Sequence, residues 1–280
     1  MKIEVWSDQK VMSYLFCPYS FLLRVSNSEP IRGITSKYGI AIHDTIFEFW
    51  EHDFKDPSEL SDFWWDYWDR IRKEELEKNP WRFRESEWKE LGERGARILE
   101  DFYRKNVWKK ERGKLITFRK LGANYEGLNL SVKFDEIFAC DGEVHLVDYT
   151  TTRQHPKQVH KRLSTHPTIL MMYVIFKKAS HILFPDEEIG EIKVGKNMLY
   201  WNEEVLREVA EEDVKRFFST LKGIDKKVRN DEFPPNFGPR CKRCYFFTAH
   251  WKSSRRDRTF LSKYGKPEVG YPLIFQQASS

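Results

Sequence analysis

The stretch that most constrains the fold of this chain covers residues 130–151, where two apolar-rich segments of alternating polarity flank Asp141-Gly142. An Asp-Gly pair between such segments is the strongest short-range signal for a β-hairpin, because both residues tolerate the positive φ that a type I′ turn requires. If this pair forms the turn, Asp135 lies directly opposite Asp148 on the facing strand. The sequence therefore predicts two carboxylates that meet across a hairpin.

The two aspartates belong to a predicted polar patch. Residues two apart on a strand share a face, so Lys133 joins Asp135. Thr150 joins Asp148 in the same way and lies opposite Lys133. The other face of the predicted hairpin is apolar and carries Val132, Phe134, Phe138, Val147 and Tyr149. Like charges that face each other across a ladder destabilise it, and a divalent cation would offset this repulsion. A solvent-facing hairpin that only happens to carry charges is the alternative.

Length and composition narrow the class of protein. The 280 residues suffice for one large core or for two domains. The sequence has no run of about 18 apolar residues, so we expect no membrane span. The N-terminus lacks the apolar region of a signal peptide, which predicts an intracellular, cytoplasmic protein. A net charge of +5 is compatible with a nucleic-acid partner without requiring one.

The order of the predicted elements is helices, antiparallel strands, helix, strand and helix, which predicts a mixed α/β fold around one sheet. His43 lies on a helix predicted from about residue 38 to 54, on the face that also carries Ile46 and Trp50. We therefore expect its side chain to point inward. A helical insertion is predicted at about 55–112.

Three further elements are predicted beyond the hairpin. Residues 180–184, which end in three apolar residues, predict a short strand, and residues 191–201 predict a hairpin-like pair of strands. Asn202 is expected to cap a long amphipathic helix that ends near Val228.

Carboxylates paired in this way suit a hard divalent cation. Mg²⁺ prefers one or two carboxylates together with waters and phosphate oxygens. Such a site lowers the pKa of a bound water and shields phosphate charge, so it suits the hydrolysis of phosphodiesters. Asp148 ends the apolar segment VHLVD, and a buried Asp is rare unless it is paired or bound to a metal.

Four motifs of this chain resemble those of a known nuclease family. In chain order they are His43 on a helix, Asp135 at the end of VKFD, Asp148 in VDYT and Tyr173 in a following LMMY helix. The same order occurs in PD-(D/E)xK nucleases, and the RecB-like branch is the most similar over most of the chain. The resemblance implies a restriction-endonuclease-like α/β core, a mixed sheet flanked by helices. It implies that His43, Asp135 and Asp148 bind Mg²⁺ or Mn²⁺, that Tyr173 packs beside them, and that DNA is hydrolysed at ends or on single strands.

The chain departs from the pattern of that family at two positions. Thr150 replaces the lysine that follows the second acid, and Ile169 replaces the glutamine of the next helix. Because Lys133 lies opposite Thr150 in the predicted hairpin, we hypothesise that Lys133 is a relocated catalytic lysine. The alternative role of Lys133 is a counter-charge for the aspartates. The alternative function is that of a catalytically impaired nuclease homologue, which binds DNA or takes part in an assembly.

A second group of candidate ligands is Cys241-x2-Cys244-x5-His250. A C-x2-C pair wraps two thiolates around one ion and so predicts a metal site. Together with Cys17 in CPYSFLL, this spacing resembles the four cysteines of RecB-like nucleases of CRISPR adaptation modules, which hold an iron–sulfur cluster. His250 stands at the last of these positions, which leaves a 4Fe–4S cluster and a structural Zn²⁺ open. In the alternative, Cys17 is buried and Cys241 and Cys244 are free thiols. Cys140, beside the predicted turn, has no ligand neighbours in the sequence.

Basic residues flank the predicted site in two clusters. One follows the hairpin and the other follows the cysteine pair. The candidate DNA-binding residues are Lys157, Lys161, Arg162, Lys252, Arg255 and Arg256. A solvated charged face is the alternative for each cluster. The resemblance implies a RecB-like core at 1–240 and, at 241–280, a metal-binding knuckle and basic tail joined to Cys17. A zinc-stapled interaction module without a DNA role is a third reading.

Overall fold

The computed structural model describes residues 1–25, 34–78, 84–186 and 188–236. Several residues of the predicted sites lie outside the described residues, and these are Cys241, Cys244, His250, Lys252, Arg255 and Arg256. Within the described ranges, helices cover a single mixed β-sheet.

The bounds of the elements are as follows. The helices are α1 (Asp8–Phe16), α2 (Pro18–Val25), α3 (Ile34–Glu51), α4 (Pro57–Lys78), α5 (Glu85–Asn106), α6 (Pro156–Leu163), α7 (Pro167–Leu183) and α8 (Glu211–Arg229). The strands are β1 (Trp6–Ser7), β2 (Lys114–Tyr125), β3 (Leu128–Cys140), β4 (Glu143–Thr150), β5 (Glu191–Met198) and β6 (Glu203–Glu208). Helices α4 and α5 occupy the predicted helical insertion.

Strand β3 is the centre of the sheet. Strand β2 pairs with it antiparallel along one edge. The other edge is shared by β4, which pairs antiparallel near the hairpin turn, and by β1, which pairs parallel at Leu130 and Ser131. Strand β5 continues the sheet parallel to β4, and β6 pairs antiparallel with β5. This mixed sheet between helices confirms the predicted α/β fold.

Helices cover both faces of the sheet. Layer one contains α1, α2, α6, α7 and α8, which pack against sheet residues such as Phe134 and Leu146. Layer two contains α3, α4 and α5, with a core that includes Phe49, Trp64 and Tyr149. Apolar surface buried in this way stabilises the fold by roughly 25 cal/mol per Å². The two layers therefore hold the strands that carry the candidate site.

The central hairpin forms as the sequence predicts. Asp141 has φ 52° and Gly142 has φ 80°, the two positive values that a type I′ turn requires. The strand register confirms this turn, because Glu136 faces Val147 in the ladder of β3 and β4. The register in turn determines how close the predicted site residues come to one another.

The single apolar face predicted for the hairpin is wrong. Val132 and Phe134 pack in layer one, whereas Val147 and Tyr149 pack in layer two. On β3 the layer-one positions are even-numbered up to Phe134 and odd-numbered from Ile137. The alternation of β3 between the two layers is therefore interrupted between Phe134 and Ile137, at Asp135 and Glu136.

The change of sides coincides with an irregular backbone on β2. Phe118 lies opposite Asp135, between the register pairs that precede and follow it, and has φ 49°. A bulky residue with positive φ is rare, and such conformations cost of order 1–3 kcal/mol. Asp135 thus lies where the regular alternation of β3 is interrupted, and no sequence signal at Phe118 indicated this.

Two element predictions beyond the hairpin need correction. Residues 180–184, predicted as a strand, lie at the end of α7, which continues to Leu183. Asn202, predicted as a helix cap, has φ 49° in the connection between β5 and β6, and the helix begins only at Glu211.

Among the helices in the described part of the chain, none combines the length and the apolar character that a membrane span requires.

Candidate active site

Strands β3 and β4 separate beside the aspartates, and this separation forms the candidate active site. Their ladder ends at Glu136 and Val147, one pair before Asp135 and Asp148 would face each other. The Tyr149 backbone N–H instead donates a hydrogen bond to Oδ2 of Asp135 at 2.8 Å. The predicted direct opposition of the two aspartates is therefore corrected, since Asp135 spans the gap at the end of the ladder.

Asp135 is buried and is contacted by two side chains. Nδ1 of His43, on α3, lies 3.7 Å from its Oδ2, and the Lys133 ammonium lies 3.4 Å from its Oδ1. Burial alone would raise the pKa of Asp135. The contacts with His43 and Lys133, together with the backbone hydrogen bond, outweigh burial and hold this pKa below its ordinary value. Asp135 is therefore kept as an anion.

Asp148 has different surroundings. Its Oδ2 forms an ion pair with the ammonium of Lys196 on β5, and 22% of its side chain is exposed. Burial raises the pKa of Asp148 above its ordinary value, and the negative charge of Asp135 raises it further. The positive charge of Lys196, and that of His43 when it is protonated, oppose this shift. The two carboxylates and His43 thus lie within electrostatic reach of one another.

Lys196 is the charged residue of this site that the sequence did not indicate. Strand β5 runs parallel to β4, and Lys196 is the register partner of Asp148. The connection between these strands contains two helices, α6 and α7. A partner at that distance along the chain leaves no local pattern in the sequence, unlike the Asp-Gly turn that aligned β3 with β4.

The sequence that carries these residues matches a known protein family. A family model described as the PD-(D/E)XK nuclease superfamily matches residues 5–248. The chain belongs to the PD-(D/E)XK nuclease superfamily. No curated protein matches this nuclease.

Two solved structures resemble this PD-(D/E)XK nuclease at low identity. A candidate exonuclease from Eubacterium rectale is 10% identical, and the match covers 86% of this chain and 87% of that one, with a TM-score of 0.44. A protein named SSO0001 is 12% identical, and the match covers 77% of this chain and 95% of that one, with a TM-score of 0.29.

Lys133 and Thr150, predicted to face each other, lie in different surroundings. Lys133 is half exposed, with its ammonium 4.5 Å from the centre of the Phe118 ring. Thr150 lies at the end of β4, where its Oγ1 accepts a hydrogen bond from the Thr152 backbone N–H at 3.4 Å, and its register partner on β5 is Met198. The ladder of β3 and β4 has already ended at this level. Thr150 therefore contributes a hydroxyl and no charge to this part of the nuclease.

The contacts that the structure shows for Tyr173 are with layer one. It lies on α7, partly buried against layer one, with the Lys177 ammonium 5.3 Å from its ring centre. Its role as a buttress of the site stays a prediction.

A buried polar network fixes Tyr149 on the layer-two side of the site. The Tyr149 hydroxyl donates a hydrogen bond to Glu136 at 2.6 Å and accepts one from the Trp50 indole at 3.2 Å. Lys109 forms an ion pair with the same Glu136 at 2.6 Å. Burial, and then the charge of Glu136, raise the pKa of Tyr149 well above its ordinary value. The neutral phenol anchors the residue whose backbone N–H holds Asp135.

The other predicted groups are only partly described. Helix α6, the first helix after β4, carries three exposed basic residues, Lys157, Lys161 and Arg162. Cys17 is buried between α1 and α2, and its Sγ accepts a hydrogen bond from the Asn236 backbone N–H at 3.4 Å. The described chain therefore returns to Cys17 shortly before Cys241.

The two carboxylates of this site, Asp135 and Asp148, are suited to bind a divalent cation. In the described residues, no group of three or more His, Cys, Asp and Glu side chains converges as a metal site. Mg²⁺ needs only one or two carboxylates, because waters and phosphate oxygens complete its shell. Asp135 is anionic and raises the pKa of Asp148, and a cation beside both would remove this repulsion. His43 lies beside the first of them.

Proposed function

We propose that this nuclease hydrolyses the phosphodiester bonds of DNA with Mg²⁺ or Mn²⁺ held by Asp135 and Asp148, with His43 completing the set of ligands. The observation that carries the proposal is the placement of both carboxylates at the gap between β3 and β4, where His43 contacts Asp135. Membership of a nuclease superfamily supports the reaction class. The metal, when bound, would lower the pKa of a water and neutralise phosphate charge.

The side chains around the gap have separate tasks in this proposal. Asp135 is held as an anion by its N–H donor and by Lys133, so it can bind a cation at neutral pH. His43 binds as the neutral imidazole. Tyr149, anchored by Glu136, keeps Asp135 oriented through its backbone N–H.

The substrate in this proposal is DNA, at ends or on single strands. The exposed cations of α6 follow β4 directly, so they are suited to contact the phosphates next to the cleaved bond. Lys157, Lys161 and Arg162 would supply affinity without reading the base sequence. DNA binding of this kind weakens as the salt concentration rises.

The nuclease activity is tested by cleavage of end-labelled single-stranded and duplex DNA in the presence of Mn²⁺. We expect Asp148→Ala to lower the rate at least about 100-fold, because it removes a metal ligand. Asp62→Asn, a change at an exposed aspartate of α4, serves as the matched control and should cleave like the wild type. Equal residual cleavage by the wild type and by Asp148→Ala would mean that the activity comes from a contaminant.

The second candidate function is a DNA-binding or assembly protein that has lost cleavage. Thr150, which cannot supply a charge, favours it. This function predicts salt-dependent DNA affinity in the wild type and in Asp148→Ala alike, without cleavage by either. A protein without salt-dependent DNA affinity would be an interaction module that has no DNA role.

The C-terminal metal site belongs to the same proposal. Cys17, Cys241, Cys244 and His250 would hold Zn²⁺ or a 4Fe–4S cluster and join a core at 1–240 to a knuckle at 241–280. Burial of Cys17 beside Asn236 supports the idea, because it brings the chain that leads to Cys241 close to the first thiol. A relation to CRISPR adaptation and a cytoplasmic location stay predictions.

A further inference from the structure

Lys196 occupies an unusual position for a lysine. It is the register partner of Asp148 on the parallel neighbour strand, so both side chains project from the same face of the sheet. Its ammonium forms an ion pair with Asp148, and only 14% of its side chain is exposed. Lysine is almost never buried unless it is paired. The fold therefore brings a positive charge to the carboxylate that lies two residues before Thr150.

The charge of Lys196 also acts beyond this ion pair. His166, at the start of α7, has a pKa lowered to about 4 by its burial and, secondarily, by the positive charge of Lys196. The two groups thus interact electrostatically, and both are poorly solvated, since Nδ1 of His166 is buried and only 14% of the Lys196 side chain is exposed. In such surroundings a fixed positive charge has a larger effect on a developing negative charge than it has in water.

The alternative lysine, Lys133, is less suited to act on a substrate phosphate beside Asp148. Half of its side chain is exposed, and its ammonium lies over the Phe118 ring and beside Asp135. Together with His43 and the Tyr149 backbone N–H, it holds Asp135 as an anion. Its observed position therefore matches the counter-charge role.

The backbone around Lys196 is closely confined. A side chain at the preceding residue, Gly195, would overlap the carbonyl of Val205 on β6. The two strands thus approach each other more closely than any other residue type would permit. This contact limits movement of β5 and keeps the Lys196 side chain in register with Asp148.

We propose that Lys196 is the catalytic lysine of this nuclease, and that its ammonium stabilises the negative charge that develops on the phosphate beside Asp148. The inference rests on the proposed nuclease function. In the reaction, a water oxygen forms a bond to phosphorus, and the bond from phosphorus to the leaving sugar oxygen breaks. The water releases one proton to solvent and the leaving oxygen takes one up, so that a phosphomonoester and a hydroxyl result. Lys196 contributes charge and a hydrogen bond without net proton transfer.

The test compares Lys196→Met with Lys193→Met, a change at a second lysine of β5 that pairs with Glu143 instead. Single-turnover cleavage in Mn²⁺ should fall about 100-fold in Lys196→Met, as for loss of one preorganised donor, and should stay unchanged in Lys193→Met. Lys133→Met should lose less than about tenfold, as expected for the loss of a partly exposed counter-charge. DNA affinity in Ca²⁺ and the melting temperature report binding and folding separately.

A second measurement distinguishes a catalytic lysine from a purely structural partner of Asp148. Removal of the competing ammonium should tighten Mn²⁺ binding several-fold by titration calorimetry, while cleavage becomes slower. A structural partner predicts weaker or unchanged Mn²⁺ binding and a cleavage rate that follows the loss of folded protein. If Lys196→Met does not fold, Lys196→Arg retains the charge and should show a smaller loss of rate with the fold intact.

The strongest test moves the positive charge from position 196 to position 150. Thr150→Lys in the Lys196→Met background should recover at least about tenfold of the lost rate, because it returns an ammonium to the same carboxylate. Wild-type cleavage by Lys196→Met, or a larger loss in Lys133→Met, would overturn the assignment and leave the nuclease function intact. A wild type no more active than Asp148→Ala would instead overturn the nuclease function, and the assignment with it.

Discussion

Asp135 and Asp148 are chemically identical, yet their surroundings shift their pKa values in opposite directions. Asp135 combines burial with His43, Lys133 and a backbone donor, and its pKa is lowered. Asp148 has burial and the repulsion of Asp135 against the attraction of Lys196, and its pKa is raised. In the proposed metal site, one carboxylate would thus already be anionic, and a bound cation would lower the pKa of the other.

His166 permits a test of charge burial away from the carboxylates. Its pKa is lowered from 6.5 to about 4, and its Nδ1 is buried without a hydrogen-bond partner among the described residues. As the pH falls through 6.5, the unfolded chain therefore takes up a proton that the folded chain does not accept until about pH 4. Stability is consequently lost over this range, by about 2 kcal/mol between pH 7 and pH 5.

His166→Leu should abolish this part of the pH dependence. The free energy of unfolding from urea titrations at the two pH values measures it, and His160→Leu, a change on the exposed face of α6, is the matched control. An equal loss of stability between pH 7 and pH 5 in wild type and His166→Leu would contradict the prediction.

The residues of the site differ in how far the sequence could reveal them. Asp141-Gly142 determined the register that brings Asp135 towards Asp148, because turn chemistry acts within two residues. The conformation of Phe118 and the pairing of Lys196 with Asp148 come from tertiary contacts. No short pattern encodes such contacts, so the sequence did not indicate that Lys196 is the counter-ion of Asp148.

At the scale of elements, helices α4 and α5 pack unusually closely. The indoles of Trp64 and Trp68 donate hydrogen bonds to the backbone carbonyls of Gly92 and Trp88 on α5, at 2.8 and 3.0 Å. A methyl group at Gly95 would overlap the Trp64 ring. The glycines of α5 therefore allow two tryptophans to lie against its backbone.

Alanine substitution should separate this packing from helix propensity. Gly95→Ala gains about 1 kcal/mol of propensity but forces Trp64 to move, and we expect a net loss of about 1–3 kcal/mol in the free energy of unfolding. Gly223→Ala in α8 adds a methyl group that contacts nothing within 4 Å, and should stabilise by about 0.5–1 kcal/mol. Chemical denaturation measures both, and a stabilised Gly95→Ala would show that α4 can shift at little cost.

The mistaken elements have equally physical causes. Residues 180–184 end in three apolar residues, and so short an apolar run does not distinguish a strand from the last turn of a helix. Asn202 is as well suited to a left-handed turn as to a helix cap, since its side chain tolerates positive φ. Only the pairing of β5 with β6 decides between these conformations.

At the scale of the whole molecule, the first and last described segments of the chain pack together. The Trp6 indole donates a hydrogen bond to Asp225 at 2.9 Å, and the Tyr14 hydroxyl donates one to the Glu232 carbonyl at 3.0 Å. The ring of Phe21 stacks on Phe233. These contacts bring the chain around residue 236 to α1 and α2, and so to Cys17.

This arrangement leads to a prediction about the proposed C-terminal metal site. Anaerobically purified protein should contain either one Zn²⁺ or a 4Fe–4S cluster with visible absorption, and Cys17→Ser should lower the metal content. Because the bound ion would close a very long loop, its loss should also lower the free energy of unfolding by about 2–5 kcal/mol, as for a cross-link of comparable span. Cys140→Ser, a change beside the hairpin turn and outside the proposed ligand set, should retain both metal and stability. Equal metal content in the two variants would mean that Cys17 is not a ligand. A wild type without metal would mean that the contacts around Trp6, Tyr14 and Phe21 hold these segments together.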